Sequence, residues 1–313
     1  MLKENFMVDS RNLSLDLTNA ATIDDLQSNA AATSPAARTR EPFQVRSHDG
    51  TTLAGDAQGD PAAPEILFIH GLRQSRLSWD KQFADPALSG FRLVRFDLRG
   101  HGDSDKPTSP SAYADPDRWG DDLAAVIAGA KLRRPVLVGW SLGGWVVGGY
   151  LRRHTGRQIA GLNLVGTVVT FAPELFTPLV ATLAQSTVSP DLATRTAATA
   201  EFLLACFHHA PSGAELAQMM VINGMAASAI NTVIAETSMP NLDATFRGFD
   251  GPVLLTHGAH DRLVRPAASQ RLLSLCPNAR LSMYENSGHS PFYEEPDRFG
   301  CELAAFVSIA SKE

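Results

Sequence analysis

The chain has only three cysteines among its 313 residues, Cys206, Cys276 and Cys301, an odd number at wide spacing with no C-x-x-C pair. That argues against a disulfide framework and a zinc site, and the expected state is reduced thiols with no metal. Positive charge is also in short supply, since 27 Lys and Arg against 33 Asp and Glu leave a formal charge of −6. Without a basic field to gather phosphate, neither nucleic acid nor an anionic membrane is an expected partner, and a small neutral substrate fits better. Missing too is a long apolar run near the start, where Lys3, Glu4, Asp9, Arg11 and Asp16 interrupt every window. No signal-peptide core and no membrane span can be drawn there, so a cytoplasmic location is the expectation. There is no internal repeat.

What the chain does have is enough apolar sequence, 44% of residues, to bury one large core. Residues 1–41 are polar and alanine-rich and read as a loosely ordered extension. An amphipathic helix over about 13–26, docked on the body or on a second subunit of a homo-oligomer, is the alternative there. From Phe43 a β-hairpin is expected around the turn His48-Asp49-Gly50. Apolar runs at 66–69, 93–96, 136–138, 162–169 and 253–255 then read as strands buried on both faces of a parallel sheet. The resulting class is α/β, with core segments 42–171 and 248–313. Between them, 172–247 carries helix signals and no strand, and is expected to form an inserted helical lid. Within it, Ser189-Pro190 is expected to start one helix, and Ser212 with Glu215 has capping-box spacing for another.

Gly139-Trp140-Ser141-Leu142-Gly143 matches the nucleophile elbow G-x-S-x-G and lies where that motif must lie, between a strand and a helix. The turn forces the serine into a strained backbone conformation, tolerable only if Gly139 and Gly143 present no side chain. Packing alone can explain Gly143, Gly144, Gly148 and Gly149, but it does not explain the serine's place. The amide of Leu142, at a helix N-terminus, is one expected oxyanion donor. The second is the amide of Leu72, in His70-Gly71-Leu72 after the strand at 66–69. His70 suits holding that loop better than acting as a base.

Of nine histidines, His289 in Ser287-Gly288-His289-Ser290-Pro291 has the best setting for a general base. His257 and His260 read as structural, and His208-His209 as neighbours on a helix whose side chains diverge too far to share a metal. The orienting acid should fall between serine and histidine in the chain, and Asp261 answers that requirement.

With these segments and Asp97-Leu98-Arg99-Gly100-His101-Gly102-Asp103-Ser104-Asp105 in hand, the sequence resembles the α/β-hydrolase superfamily, in its branch of small esterases, lactonases and cofactor-free haloperoxidase-like perhydrolases. The likeness also takes in Gly288 to Pro296 and spans about 43–306. It implies an eight-stranded, mostly parallel sheet, a helical cap, no cofactor, and a structural role for the turn Asp97 to Asp105. It further implies carboxylic ester or lactone hydrolysis through an acyl-serine. Perhydrolysis, carbon–carbon bond hydrolysis and hydroxynitrile lysis can use the same triad. A non-enzymatic ligand receptor is the reading from another class, which turnover of a simple aryl ester would dismiss. Trp140, Phe171, Phe176, Met219 and Met220 are expected to line an apolar pocket in which charged substrates are poor.

Overall fold

The computed structural model describes residues 39–230 and 240–312. The helix considered over 13–26 lies outside them.

Eight strands form one sheet: β1 (Glu41–Arg46), β2 (Thr52–Gln58), β3 (Glu65–Ile69), β4 (Arg92–Phe96), β5 (Val136–Trp140), β6 (Gly161–Val165), β7 (Val253–Gly258) and β8 (Ala279–Tyr284). Their order is β1-β2-β4-β3-β5-β6-β7-β8. β2 runs antiparallel to both β1 and β4, and every other pairing is parallel. The hairpin expected from Phe43 onward is the β1–β2 pair, with Phe43 opposite Gly55.

β3 shows why the apolar runs are continuous. Side chains of a strand alternate between faces, and here Ile66 and Phe68 enter one core cluster while Leu67 and Ile69 enter the other. Helices α1 (Pro116–Gly129), α2 (Leu142–His154), α6 (Ala267–Leu275) and α7 (Pro296–Ala310) cover the two faces. Both surfaces of each central strand are therefore dry.

The strand expected over 162–169 is shorter than its apolar run. Gly166 turns the chain at φ 52°, and the Thr167 hydroxyl donates to the carbonyl of Gly139 rather than extending the ladder. Between β6 and β7 the described chain holds α3 (Pro178–Ser186), α4 (Leu192–Ala205) and α5 (Gly213–Gly224). Ser212 and Glu215 form the expected capping box at α5. At α4 the expectation fails by two residues: Asp191, not Ser189, accepts the Thr194 amide as the cap, because its carboxylate is the stronger acceptor and stands next to the first turn.

Candidate active site

Four loops at one end of the parallel strands, those after β3, β5, β7 and β8, meet above the sheet. Ser141 stands between β5 and α2 with φ 53° and ψ −117°, outside the conformations L residues prefer. Two glycines make this turn possible. A Cβ on Gly139 would stand 2.8 Å from the nitrogen of Gly144, and one on Gly143 only 2.4 Å from the Ile69 carbonyl oxygen. The Ser141 amide donates to the Val165 carbonyl at 2.9 Å, which pins the turn to β6.

The loop after β3 is held by two buried histidines. His70 accepts the Leu98 amide on Nε2 at 3.0 Å, which leaves Nδ1–H to donate to the Gly71 carbonyl at 2.8 Å. His101 accepts the Arg73 amide on Nε2 at 3.0 Å and donates from Nδ1 to the Arg99 carbonyl at 2.9 Å. Burial pushes His70 down to about 4 and His101 down to about 3, so both stay neutral and keep these tautomers. Among the described residues, neither the Leu72 nor the Leu142 amide donates to a protein acceptor. Both residues line the same cavity as Ser141. The turn Asp97 to Asp105 is a brace: Asp97 accepts the amides of Arg76 and Asp103, and Arg99 is buried against Asp122 at 2.6 Å.

Asp261 follows β7 and His289 follows β8. Asp261 Oδ2 accepts His289 Nδ1–H at 2.7 Å, and Oδ1 accepts the amides of Leu263 and Val264 at 2.8 and 2.9 Å. Burial opposes ionisation of Asp261, yet the charge of His289 and the hydrogen bonds from His257 and His289 hold its carboxyl well below the usual carboxylate range. An ionised acceptor on Nδ1 leaves the lone pair of Nε2 available. His289 is 2% exposed and lines the cavity that Ser141 lines.

The other histidines fall elsewhere. His257 lies behind the acid rather than in the cavity, buried between the Ser269 hydroxyl and the Val264 carbonyl with Nε2 3.4 Å from Asp261 Oδ2. His260 stacks on His208 with ring centroids 3.8 Å apart. His208 and His209 are not on a helix as expected; α4 ends at Ala205 and Pro211 stops its continuation, so the pair sits in a bend. Their amides both donate to Glu294 Oε1, and Glu294 Oε2 accepts the amide of Gly288 at 2.6 Å. No cluster of metal-ligating side chains occurs among the described residues.

The cavity measures about 580 Å³. Phe171 and Phe176 line it, together with Val180, Leu183, Phe202 and Val264. Three expected lining residues are not there. The Trp140 indole turns away, packs on Phe292 at 4.9 Å and donates to the His289 carbonyl at 2.8 Å. Trp140 and Met219 line a separate cavity of about 210 Å³, and Met220 lines neither. For the two methionines the cause is the seating of α5, which Glu215 ties to the Tyr293 hydroxyl on the Phe207–Tyr293 side rather than over Ser141.

Sequence reasoning passed over two other features. Arg73 lines the cavity beside Leu72, and nothing in its spacing distinguished it from other arginines. The segment 175–177 is stitched to the loop carrying the acid: Phe176 bridges Val264, the Thr177 amide donates to Leu263 at 3.0 Å, and the Arg265 amide donates to Leu175 at 2.9 Å.

The chain is similar to known proteins in sequence and in fold. Residues 64–296 match the family profile described as alpha/beta hydrolase fold. The structure resembles that of a putative aryl esterase from Burkholderia cenocepacia, at 38% identity and a TM-score of 0.83, over 87% of this chain and all of that one. It resembles an esterase from Rhodococcus sp. ECU1013 at 29% identity and a TM-score of 0.77, over 85% of this chain and 98% of that one. In sequence it is 30% identical to a non-heme haloperoxidase of Rhodococcus erythropolis, over 85% of this chain and 99% of that protein.

Proposed function

Because this chain belongs to the α/β-hydrolase family and is an enzyme of its esterase and hydrolase kind, we propose that it cleaves a largely apolar carboxylic ester or lactone through an acyl-serine on Ser141. The observation that carries this reading is the 2.7 Å contact of ionised Asp261 with His289, whose ring shares a cavity with a serine held at φ 53°. His289 Nε2 takes the proton of the Ser141 hydroxyl as Oγ attacks the carbonyl carbon. The tetrahedral oxyanion receives the amides of Leu72 and Leu142, two donors with no protein acceptor among the described residues. Imidazolium then protonates the leaving alcohol, and water activated by the same histidine releases the acid. The helices between β6 and β7 act as the lid, with Phe171, Phe176, Leu183 and Phe202 facing the substrate.

A screen of aryl esters and lactones, run in parallel with fluorophosphonate labelling of wild type and Ser141→Ala, tests the proposal. Labelling and turnover should both vanish in the variant. Turnover that survives in Ser141→Ala would refute the mechanism.

A further inference from the structure

Four arginines crowd β4 and the loops that follow β3 and β4, and three of them have carboxylate partners. Arg76 pairs with Asp97 and Asp103, Arg95 with Asp56, and Arg99 with Asp122. Arg73 has none among the described residues: no acid lies within ion-pair distance, its guanidinium makes no hydrogen bond, and its Nε is inaccessible to solvent and unpartnered. Arg73 is half-buried, and the part of its guanidinium drawn from water has no compensating anion or acceptor, which is costly.

The protein nevertheless holds Arg73 in place with some effort. Its backbone is at φ 58°, uncommon for a residue with a side chain, and its amide is fixed by the neutral His101. Burial and the nearby charge of Arg195 both push Arg73 below the usual arginine range, which marks a place short of negative charge. The cavity wall repeats this imbalance. In a chain of net charge −6, the charged side chains lining it among the described residues are Arg73 and Arg265, with no Asp or Glu beside them.

We infer that Arg73 is a substrate-recognition residue, and that the natural substrate is an ester or lactone carrying a free carboxylate that docks on the Arg73 guanidinium. A planar two-oxygen anion meets one guanidinium edge to edge, whereas a phosphate dianion would keep an uncompensated charge in a largely apolar cavity. The inference deepens the hydrolase reading and rests on it. It also reverses the expectation that charged substrates are poor, which counted the lid's apolar side chains and no cation.

The test pairs 4-nitrophenyl esters of butanoate, pentanoate and hexanoate with the mono-4-nitrophenyl esters of succinate, glutarate and adipate. Wild type should cleave at least one carboxylate ester with kcat/KM equal to or above that of its neutral partner. Arg73→Gln should lower the carboxylate-to-neutral ratio by about 10- to 100-fold, through KM, the worth of one hydrogen bond between charged groups. Arg73→Lys, which keeps the charge and loses the fork, should fall between. A ratio far below one at every chain length, or one that Arg73→Gln leaves unchanged, overturns the inference. Glutarate binding is measured separately by calorimetry on Ser141→Ala and Ser141→Ala/Arg73→Gln, both checked for an unchanged melting temperature. Loss of binding in the second supports the anion site even if no ester is turned over, an outcome that would sink only the hydrolase reading. Equal binding to both proteins refutes the site.

Discussion

Asp261→Asn is the substitution whose effect the geometry determines most tightly. The side chain is buried and makes three short contacts: Oδ1 accepts two backbone amides, from Leu263 and Val264, and Oδ2 accepts His289 Nδ1–H. An asparagine has one acceptor and one donor end. Two amides need an acceptor and cannot rotate away, so the carboxamide oxygen must take the Oδ1 position and its NH2 must face His289. Nδ1 then becomes the acceptor, the imidazole proton moves to Nε2, and the nitrogen that should receive the Ser141 proton is blocked. The cost to folding is small, because the two backbone bonds survive and one charged hydrogen bond is exchanged for a neutral one, about 1–2 kcal/mol. The cost to catalysis is large, roughly 10⁴-fold in kcat, as for other triads with an asparagine in this place. Stopped-flow acylation by 4-nitrophenyl hexanoate, run beside a melting curve, separates the two. An Asp261→Asn enzyme that keeps more than a tenth of wild-type acylation would show that the pair does not set the tautomer.

Ser141→Gly should abolish turnover and raise the melting temperature, since relief at φ 53° is worth about 1–3 kcal/mol against a smaller entropic cost of glycine. Stability should also fall with acid on account of His70 and His101. Their folded values, about 4 and about 3, lie below the unfolded 6.5, so the unfolded chain binds more protons as pH drops. The loss therefore begins near pH 6.5 and levels off only below about 3, and urea midpoints of wild type and His70→Gln across that window would reveal it. Among neutral esters, kcat/KM should climb by up to about fourfold per methylene until the cavity is full. Phe176→Ala should flatten that series and Met220→Ala should not, as measured with the same 4-nitrophenyl esters. Glu294→Gln offers one acceptor to three amides, and a loss of about 2 kcal/mol should appear in denaturant unfolding.

Much of this architecture is legible because local rules and global position coincide. The elbow is readable since a serine between two glycines, after an apolar strand and before a helix, has few other uses, and both glycines prove to have no room for a side chain. Sheet and insertion follow from unbroken apolar runs and their absence. Placement within the insertion does not. Met219 and Phe176 look alike as large apolar residues of the insertion, but Phe176 is held beside Ser141 by its bridge to Val264, whereas α5, tied to a tyrosine hydroxyl almost 80 residues away, carries Met219 elsewhere. Arg73 was hidden for a related reason. An arginine becomes informative only when the carboxylates around it are known to be taken by others, which is a property of three-dimensional neighbours.

Among the ties that hold the insertion between β6 and β7, two reach the loops that carry proposed catalytic groups. Its first residues knit to 262–265 beside the acid, and its bend at 208–209 hangs from Glu294, which also grips the amide preceding His289. It is thus a tie-bar rather than a flap. Excising it would unmoor acid and base together, so a trimmed protein should lose activity even toward an acetyl ester that needs no apolar wall. Changing substrate preference in this scaffold calls for substitutions along the inner face of α3, with both anchor points kept, and not for exchange of the whole helical segment.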